Sequence, residues 1–150
     1  MFAVPFRCRS FLVCCFLASV AAGSGCGGRS DLPDLGRVSG VVTFNGKPVP
    51  SAKVVFRPMG DGGGRMAKAV TNEAGQYRLI YLEYPSMIYG ATPGPQMVVI
   101  TTLFHGDDPG GPKPETLPAC YQGPETVLKV DVAPGKKQQI DWKLDDKCGQ

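Results

Sequence analysis

The chain contains 150 residues, among them 20 glycines and 14 prolines, and has a formal net charge of +3 at pH 7. Glycine and proline recur every few residues and exclude long helices, while so small a charge argues against a nucleic-acid-binding protein. The chain has one histidine, His105, which excludes every mechanism that needs two imidazoles in one chain.

The first 25 residues have the pattern of a secretory signal peptide. Arg7 and Arg9 precede a run of apolar or small residues over positions 11–23. A helix that spans a bilayer needs about 20 residues. The shorter run therefore indicates a cleaved signal rather than a permanent transmembrane anchor.

The end of this segment bears on how it is cleaved. Gly23, Ser24 and Gly25 lead directly into Cys26. This arrangement resembles the lipobox of bacterial lipoproteins, with Gly23 where that family usually has leucine. The resemblance implies that Cys26 is the first mature residue and that its sulfur carries diacylglycerol. Such an anchor would hold the protein on a membrane of the cell envelope, facing the periplasm or the exterior. Cleavage by ordinary signal peptidase near Ala22 or Gly25, giving a soluble exported protein, is the alternative.

The chain beyond the signal divides into three parts. Residues 26–36 are polar and rich in glycine and proline, and they predict a flexible tether. Residues 37–146 predict an all-β sandwich of seven strands, followed by a short tail over residues 147–150. Asn45-Gly46 predicts a type I′ hairpin turn after the first strand. The strands are predicted at 37–44, 53–57, 66–71, 76–81, 96–103, 127–132 and 138–144.

The last two predicted strands are each apolar on one face and charged on the other, which is typical of a half-buried hairpin. With a turn near Gly135, Lys129 would lie opposite Asp141 and help to fix the register. Extending the same ladder outward brings Cys120 near Cys148. We therefore expect a disulfide between them in an oxidising compartment. The alternative is two free thiols on unrelated loops.

Three segments of the sandwich, residues 36–50, 52–56 and 71–77, carry a family resemblance. Together they resemble the carboxypeptidase regulatory-like domain, which combines a G-K-P element with a T-D-x-x-G-x-Y element. Asn72 stands here in place of the usual aspartate. The resemblance implies a transthyretin-like, seven-stranded antiparallel Greek-key β-sandwich. These motifs describe turns and core positions and carry no catalytic role.

Few residues could perform chemistry. His105 and Cys120 both fall in a long irregular segment, residues 104–126, which would have to hold the site of a small exported enzyme. The chain cannot supply the histidine set of a zinc peptidase. Its aspartates form no recognisable calcium-loop motif. We therefore expect no metal and no cofactor.

Tyr81, Tyr84 and Tyr89 cluster beside Pro85 and could form an exposed aromatic platform for carbohydrate binding. The alternative is that they cover the core under a loop between the two sheets. The sequence as a whole predicts a non-catalytic, exported, lipid-anchored module with a structural or binding role at the cell envelope. Its partner there would be the membrane through the anchor, together with an envelope protein or a polysaccharide.

Overall fold

The computed structural model of the protein describes residues 32–60, 64–82, 87–108 and 111–149. The predicted signal peptide, Cys26 and most of the predicted tether lie outside these residues, and so does Tyr84. No helix within the described ranges is long and apolar enough to cross a membrane.

The described residues form eleven β-strands and one short 3-10 helix, Ala119–Tyr121. The strands lie in two sheets, one of five strands and one of six. The predicted all-β, sandwich-like fold is therefore confirmed. The strands are β1 Arg37–Phe44, β2 Lys47–Pro48, β3 Lys53–Pro58, β4 Ala67–Val70, β5 Gln76–Arg78, β6 Ile80–Leu82, β7 Ile88–Tyr89, β8 Gly94–Thr101, β9 Lys129–Val132, β10 Lys137–Gln139 and β11 Trp142–Leu144.

Strand β1 is the centre of the five-stranded sheet. On one side it pairs antiparallel with β5 and with β2. The predicted turn between β1 and β2 forms, with both Asn45 and Gly46 at positive φ. On its other side β1 pairs with β10 and β11 in parallel. The prediction of a wholly antiparallel sandwich is wrong at this edge, because the end of the chain runs in the same direction as its first strand.

The six-stranded sheet is antiparallel throughout, in the order β7-β6-β4-β3-β8-β9. The predicted strand 76–81 is divided between the two sheets. At the division, the backbone N–H of Leu79 donates to the carbonyl of Val38 (3.0 Å). The chain then crosses from β5 in one sheet to β6 in the other.

The predicted final hairpin does not form. Strand β9 joins the six-stranded sheet with Lys129 opposite Met97, whereas β10 and β11 join β1. Lys129 and Asp141 are therefore not opposite each other, because their strands lie in different sheets. The alternation of apolar and charged residues in these segments is still explained, because each segment buries its apolar face in the core from a different sheet.

The core lies between the sheets. Alternate residues of β1, β3 and β8 are fully buried, as the period of two in a strand requires. The ring of Phe56 on β3 meets Trp142 on β11 edge to face, with centroids 6.3 Å apart, and so joins the two sheets. The largest fully buried side chains are Phe56, Leu79, Ile100, Gln96, Val38, Val42, Val54, Val98 and Val132.

The break between β10 and β11 is centred on Gly40 of β1. A Cβ at this position would collide with the carbonyl oxygen of Ile140, so glycine allows the two backbones to approach. At the break the carboxylate of Asp141 replaces a backbone partner and accepts from the N–H of Val41 (2.9 Å).

The hydroxyl of Tyr77 forms hydrogen bonds with two further polar groups at the break between β10 and β11. It donates to the carbonyl of Ile140 (2.7 Å) and accepts from Nε1 of Trp142 (3.1 Å). Burial raises the pKa of the Tyr77 hydroxyl well above its ordinary range; the hydrogen bond from Trp142 opposes this effect, and the charge of Asp141 adds to it. The hydroxyl of Tyr77 therefore stays neutral, and it connects β5 both to Ile140, between β10 and β11, and to Trp142 on β11.

Candidate functional site

Three exposed cations lie side by side on the outer face of the five-stranded sheet. Arg37 and Lys137 are register partners on β1 and β10. Arg78 on β5 pairs with Ser39, two residues along β1 from Arg37. Because cross-strand partners and alternate residues share a face, the three side chains project from one surface. We call Arg37, Arg78 and Lys137 the basic cluster.

Within the described ranges, no carboxylate forms an ion pair with the basic cluster. The ion pair within these ranges joins Asp108 to Lys53, which lies on β3 of the six-stranded sheet. Asp34 lines a neighbouring depression with Arg37 and Lys137, but it is not within ion-pairing distance of either. Three cations held together without an ion-paired carboxylate create a positive potential that favours an anionic ligand.

Tyr89 forms part of the same surface. The guanidinium of Arg78 lies over its ring, with Cζ 3.7 Å from the ring centroid. This cation–π contact restricts the motion of Arg78. Tyr89 and the basic cluster together line a groove of about 260 Å³.

A second groove of about 550 Å³ continues from the first along the same face. Ser39 and Arg78 line both grooves. Three neutral amide side chains, those of Asn72, Gln76 and Gln139, also line this polar groove. Part of their hydrogen-bonding capacity is used within the protein, because Nδ2 of Asn72 donates to Oε1 of Gln76 (3.0 Å) and Nε2 of Gln139 donates to Asp141 (3.1 Å). Nε2 of Gln76 remains as a donor and Oε1 of Gln139 as an acceptor, and these two atoms suit a ligand rich in hydroxyl groups.

The tyrosines proposed for carbohydrate binding are placed differently from one another. Tyr89 is exposed, and one face of its ring is covered by Arg78. Tyr81 is half-buried on β6, and the register partner of Tyr89 is Ile80, at an irregular point in the ladder. Tyr84 lies outside the described residues. A platform of all three tyrosines therefore stays a prediction.

The six-stranded sheet bears a third, more apolar groove of about 750 Å³. Val55, Ile80 and Phe104 are among the apolar residues that line it. The ammonium group of Lys53 lies 4.3 Å from the centroid of the Phe104 ring and pairs with Asp108. Its charge is therefore already balanced, unlike the charges of the basic cluster.

Glu115 orders the long segment over residues 104–126. Its carboxylate accepts hydrogen bonds from the hydroxyl of Thr101, from the N–H and hydroxyl of Thr102, and from the N–H groups of Thr116 and Leu117. Partial burial raises the pKa of this carboxyl, but the hydrogen bonds outweigh burial and lower the pKa to about 2. Glu115 is thus a structural carboxylate that fixes the segment to the end of β8.

Cys120 and His105, the two residues that an enzyme in this segment would need, both take part in contacts that stabilise the fold. Cys120 is bonded to Cys148 in a disulfide, as predicted, with the Cα atoms 6.0 Å apart. The two cysteines are not brought together by the predicted ladder. Instead, the hydroxyl of Tyr121 in the 3-10 helix donates to the carbonyl of Asp145 (3.0 Å), which holds the helix beside the end of the chain that carries Cys148. His105 is exposed in a turn, and its backbone N–H donates to the carboxylate of Asp108 (2.7 Å).

Sequence reasoning missed the basic cluster, because its members come from three distant parts of the chain. Only the parallel pairing of β1 with β10 brings Lys137 beside Arg37. Among the described residues, no group of three or more histidine, cysteine, aspartate or glutamate side chains could hold a metal ion. Comparison with known proteins found no similarity: no family model, curated protein or solved structure matches the chain.

Proposed function

We propose that the protein is an exported, non-catalytic β-sandwich, anchored to a membrane of the cell envelope by lipid on Cys26, that binds a partner there. The disulfide between Cys120 and Cys148 is the observation that carries the proposal. Disulfides persist in oxidising compartments outside the cytosol and are rare within it. The signal-like N-terminus and the residues Gly23 to Cys26 supply a route to that compartment.

The same disulfide suits a small domain outside the cell. It closes a loop of 28 residues. On the chain-entropy estimate, such a bond stabilises the folded state by about 3–4 kcal/mol. This contribution matters in a domain of this size, whose core supplies only a small net stability.

The finer fold that we propose is the transthyretin-like, seven-stranded Greek key of the carboxypeptidase regulatory-like domain. Two of the eleven strands, β2 and β7, have only two residues each. If these are set aside and the interrupted pairs β5/β6 and β10/β11 are each counted once, seven strands remain. The turns at Asn45-Gly46 and at Asn72 to Gly75 supply the positive φ values that the motif positions need.

A binding role is favoured over catalysis by what the candidate residues do. Cys120 is engaged in the disulfide, and Glu115 accepts five hydrogen bonds from residues 101, 102, 116 and 117. The basic cluster, by contrast, is exposed and forms no ion pair with a carboxylate among the described residues. Such a surface is suited to hold an anionic partner.

The test is the intact mass of the protein recovered from the membrane fraction, with and without reduction. We expect a mass that begins at Cys26, includes acyl chains, and rises by about two hydrogen atoms on reduction. The Cys26→Ser variant should lose the acyl mass and leave the membrane fraction, while the neighbouring Ser24→Ala variant should keep both. An unacylated wild-type product cut before Cys26 would overturn the anchor. A mass unchanged by reduction would overturn the disulfide argument for export.

A further inference from the structure

We propose that the outer face of β1, β5 and β10 binds an acidic polysaccharide, with the sugar carboxylates on the basic cluster and the sugar hydroxyls in the polar groove. This inference rests on the proposed envelope function and names the class of its partner. It concerns residues whose side chains are exposed on the surface.

The charge of the site points to an anion. Arg37, Arg78 and Lys137 converge on a groove of about 260 Å³, and no acidic side chain of the described ranges pairs with them. Arginine matches a planar carboxylate with two parallel N–H donors. Stacking on Tyr89 holds the guanidinium of Arg78 in one orientation, which lowers the entropy cost of binding.

The neutral part of the site points to a sugar. The groove continues from the basic cluster past Ser39 to the exposed amides of Asn72, Gln76 and Gln139. A sugar hydroxyl donates and accepts hydrogen bonds, so it can pair with Nε2 of Gln76 and with Oε1 of Gln139, amide atoms that the protein's own hydrogen bonds leave available. A ligand with one anionic group for every few hydroxyls would therefore satisfy both ends of the groove.

The shape of the site distinguishes this ligand from a membrane. The cations lie in a concave surface on a sheet face, where one narrow chain can contact them and the adjoining amides together. A flat layer of anionic headgroups could contact the exposed cations, but it offers no single chain that follows the groove from the cations to the amides. An acidic saccharide chain is thus the occupant that the surface favours.

The experiment measures binding of the purified protein, in the form recovered from cells, to oligogalacturonate. Its fully methyl-esterified form serves as the neutral counterpart with the same sugar ring. We expect binding to oligogalacturonate that weakens as salt rises, and at least about tenfold weaker binding to the ester, because charge-assisted hydrogen bonds are the strong ones. Equal binding to the two saccharides would overturn recognition by the basic cluster.

Charge-matched variants locate the site. The triple variant Arg37→Gln, Arg78→Gln, Lys137→Gln should bind oligogalacturonate about tenfold more weakly or worse. A control variant removes three exposed lysines elsewhere, Lys47→Gln, Lys129→Gln and Lys147→Gln, and should stay within about twofold of the wild type. If the triple variant does not fold, the single changes at Arg37 and Lys137 carry the same test, each with about a threefold loss. Equal losses in the cluster and control variants would refute the site.

Vesicles containing phosphatidylglycerol supply the competing outcome. Binding to these vesicles that depends on the basic cluster, without binding to oligogalacturonate, would replace the saccharide with a membrane surface and overturn the proposal. Failure to bind any of the probes would also overturn it. Neither result bears on acylation of Cys26 or on the disulfide, which are measured by mass alone, so the two proposals can fail independently.

Discussion

Replacing Tyr77 with phenylalanine should destabilise the fold by about 2 kcal/mol. The change removes one hydroxyl and leaves two groups without their partner, the carbonyl of Ile140 and the indole N–H of Trp142. A buried polar group left unsatisfied costs about 1–3 kcal/mol. Both hydrogen bonds are only partly buried, so we assign the lower end of that range, about 1 kcal/mol, to each group.

Urea unfolding measures this cost directly. Trp142 is the single tryptophan of the chain, and its fluorescence reports on the indole that loses its hydrogen bond. The matched control is Tyr89→Phe, which removes the same hydroxyl from an exposed ring and should change stability by less than about 0.5 kcal/mol. A Tyr77→Phe loss no larger than that of the control would refute the bridging role of the hydroxyl.

The pH dependence gives a second check on the same residue. Burial raises the pKa of Tyr77 above the ordinary value of about 10. In the unfolded chain this tyrosine ionises near pH 10, whereas in the folded chain it stays protonated. Its contribution to stability is therefore present below about pH 10 and declines as the pH rises further. The stability gap between the wild type and Tyr77→Phe should narrow over that range, and a gap that widens would contradict the reasoning.

Three further changes test other parts of the fold. Gly75→Ala should cost about 2 kcal/mol or more, because Gly75 has a φ of +72° and a Cβ would lie 2.5 Å from the carbonyl oxygen of Val42. Gly46→Ala, at a similar φ in open space, should cost only about 1 kcal/mol in the same urea titration; equal losses would rule out the collision. The pKa of Glu115 is lowered from an ordinary value of 4.5 to about 2, so its contribution is complete above about pH 4.5 and is lost as the pH falls through 2. Urea midpoints between pH 6 and pH 2 should therefore fall less in Glu115→Gln than in the wild type. Parallel curves for the two proteins would contradict a stabilising role for the ionised Glu115 carboxylate. The double variant Cys120→Ser, Cys148→Ser should lose about 3–4 kcal/mol; a melting temperature equal to that of the oxidised wild type would show that the bond does not constrain the chain.

Local chemistry allowed the turns and most strands to be predicted. Asn45-Gly46 specifies a turn by itself, because both residues accept positive φ. The alternation of apolar residues in β1 and β3 likewise identifies the buried face of each strand. These features depend on neighbours in the sequence, and the structure has them where the sequence indicates.

The pairing of distant strands could not be predicted in the same way. The alternation at residues 127–132 and 138–144 is met equally by a hairpin and by two strands in opposite sheets, so it did not reveal that β10 and β11 run beside β1. The pairing of Cys120 with Cys148 was predicted correctly from a ladder that is absent. The basic cluster depends wholly on the parallel pairing, which no local pattern in Arg37, Arg78 or Lys137 indicates.

The pairing of β1 with β10 and β11 also sets the order in which the chain can fold. Val41 and Asp141, joined across this edge, are 100 residues apart in the sequence. Until the last strands are present, the central strand of one sheet keeps an open edge, and contacts of such long range form slowly. For a chain exported as we propose, this arrangement delays closure of the sandwich until its last residues have crossed the membrane. Folding would then be completed on the far side, where Cys120 and Cys148 can be oxidised.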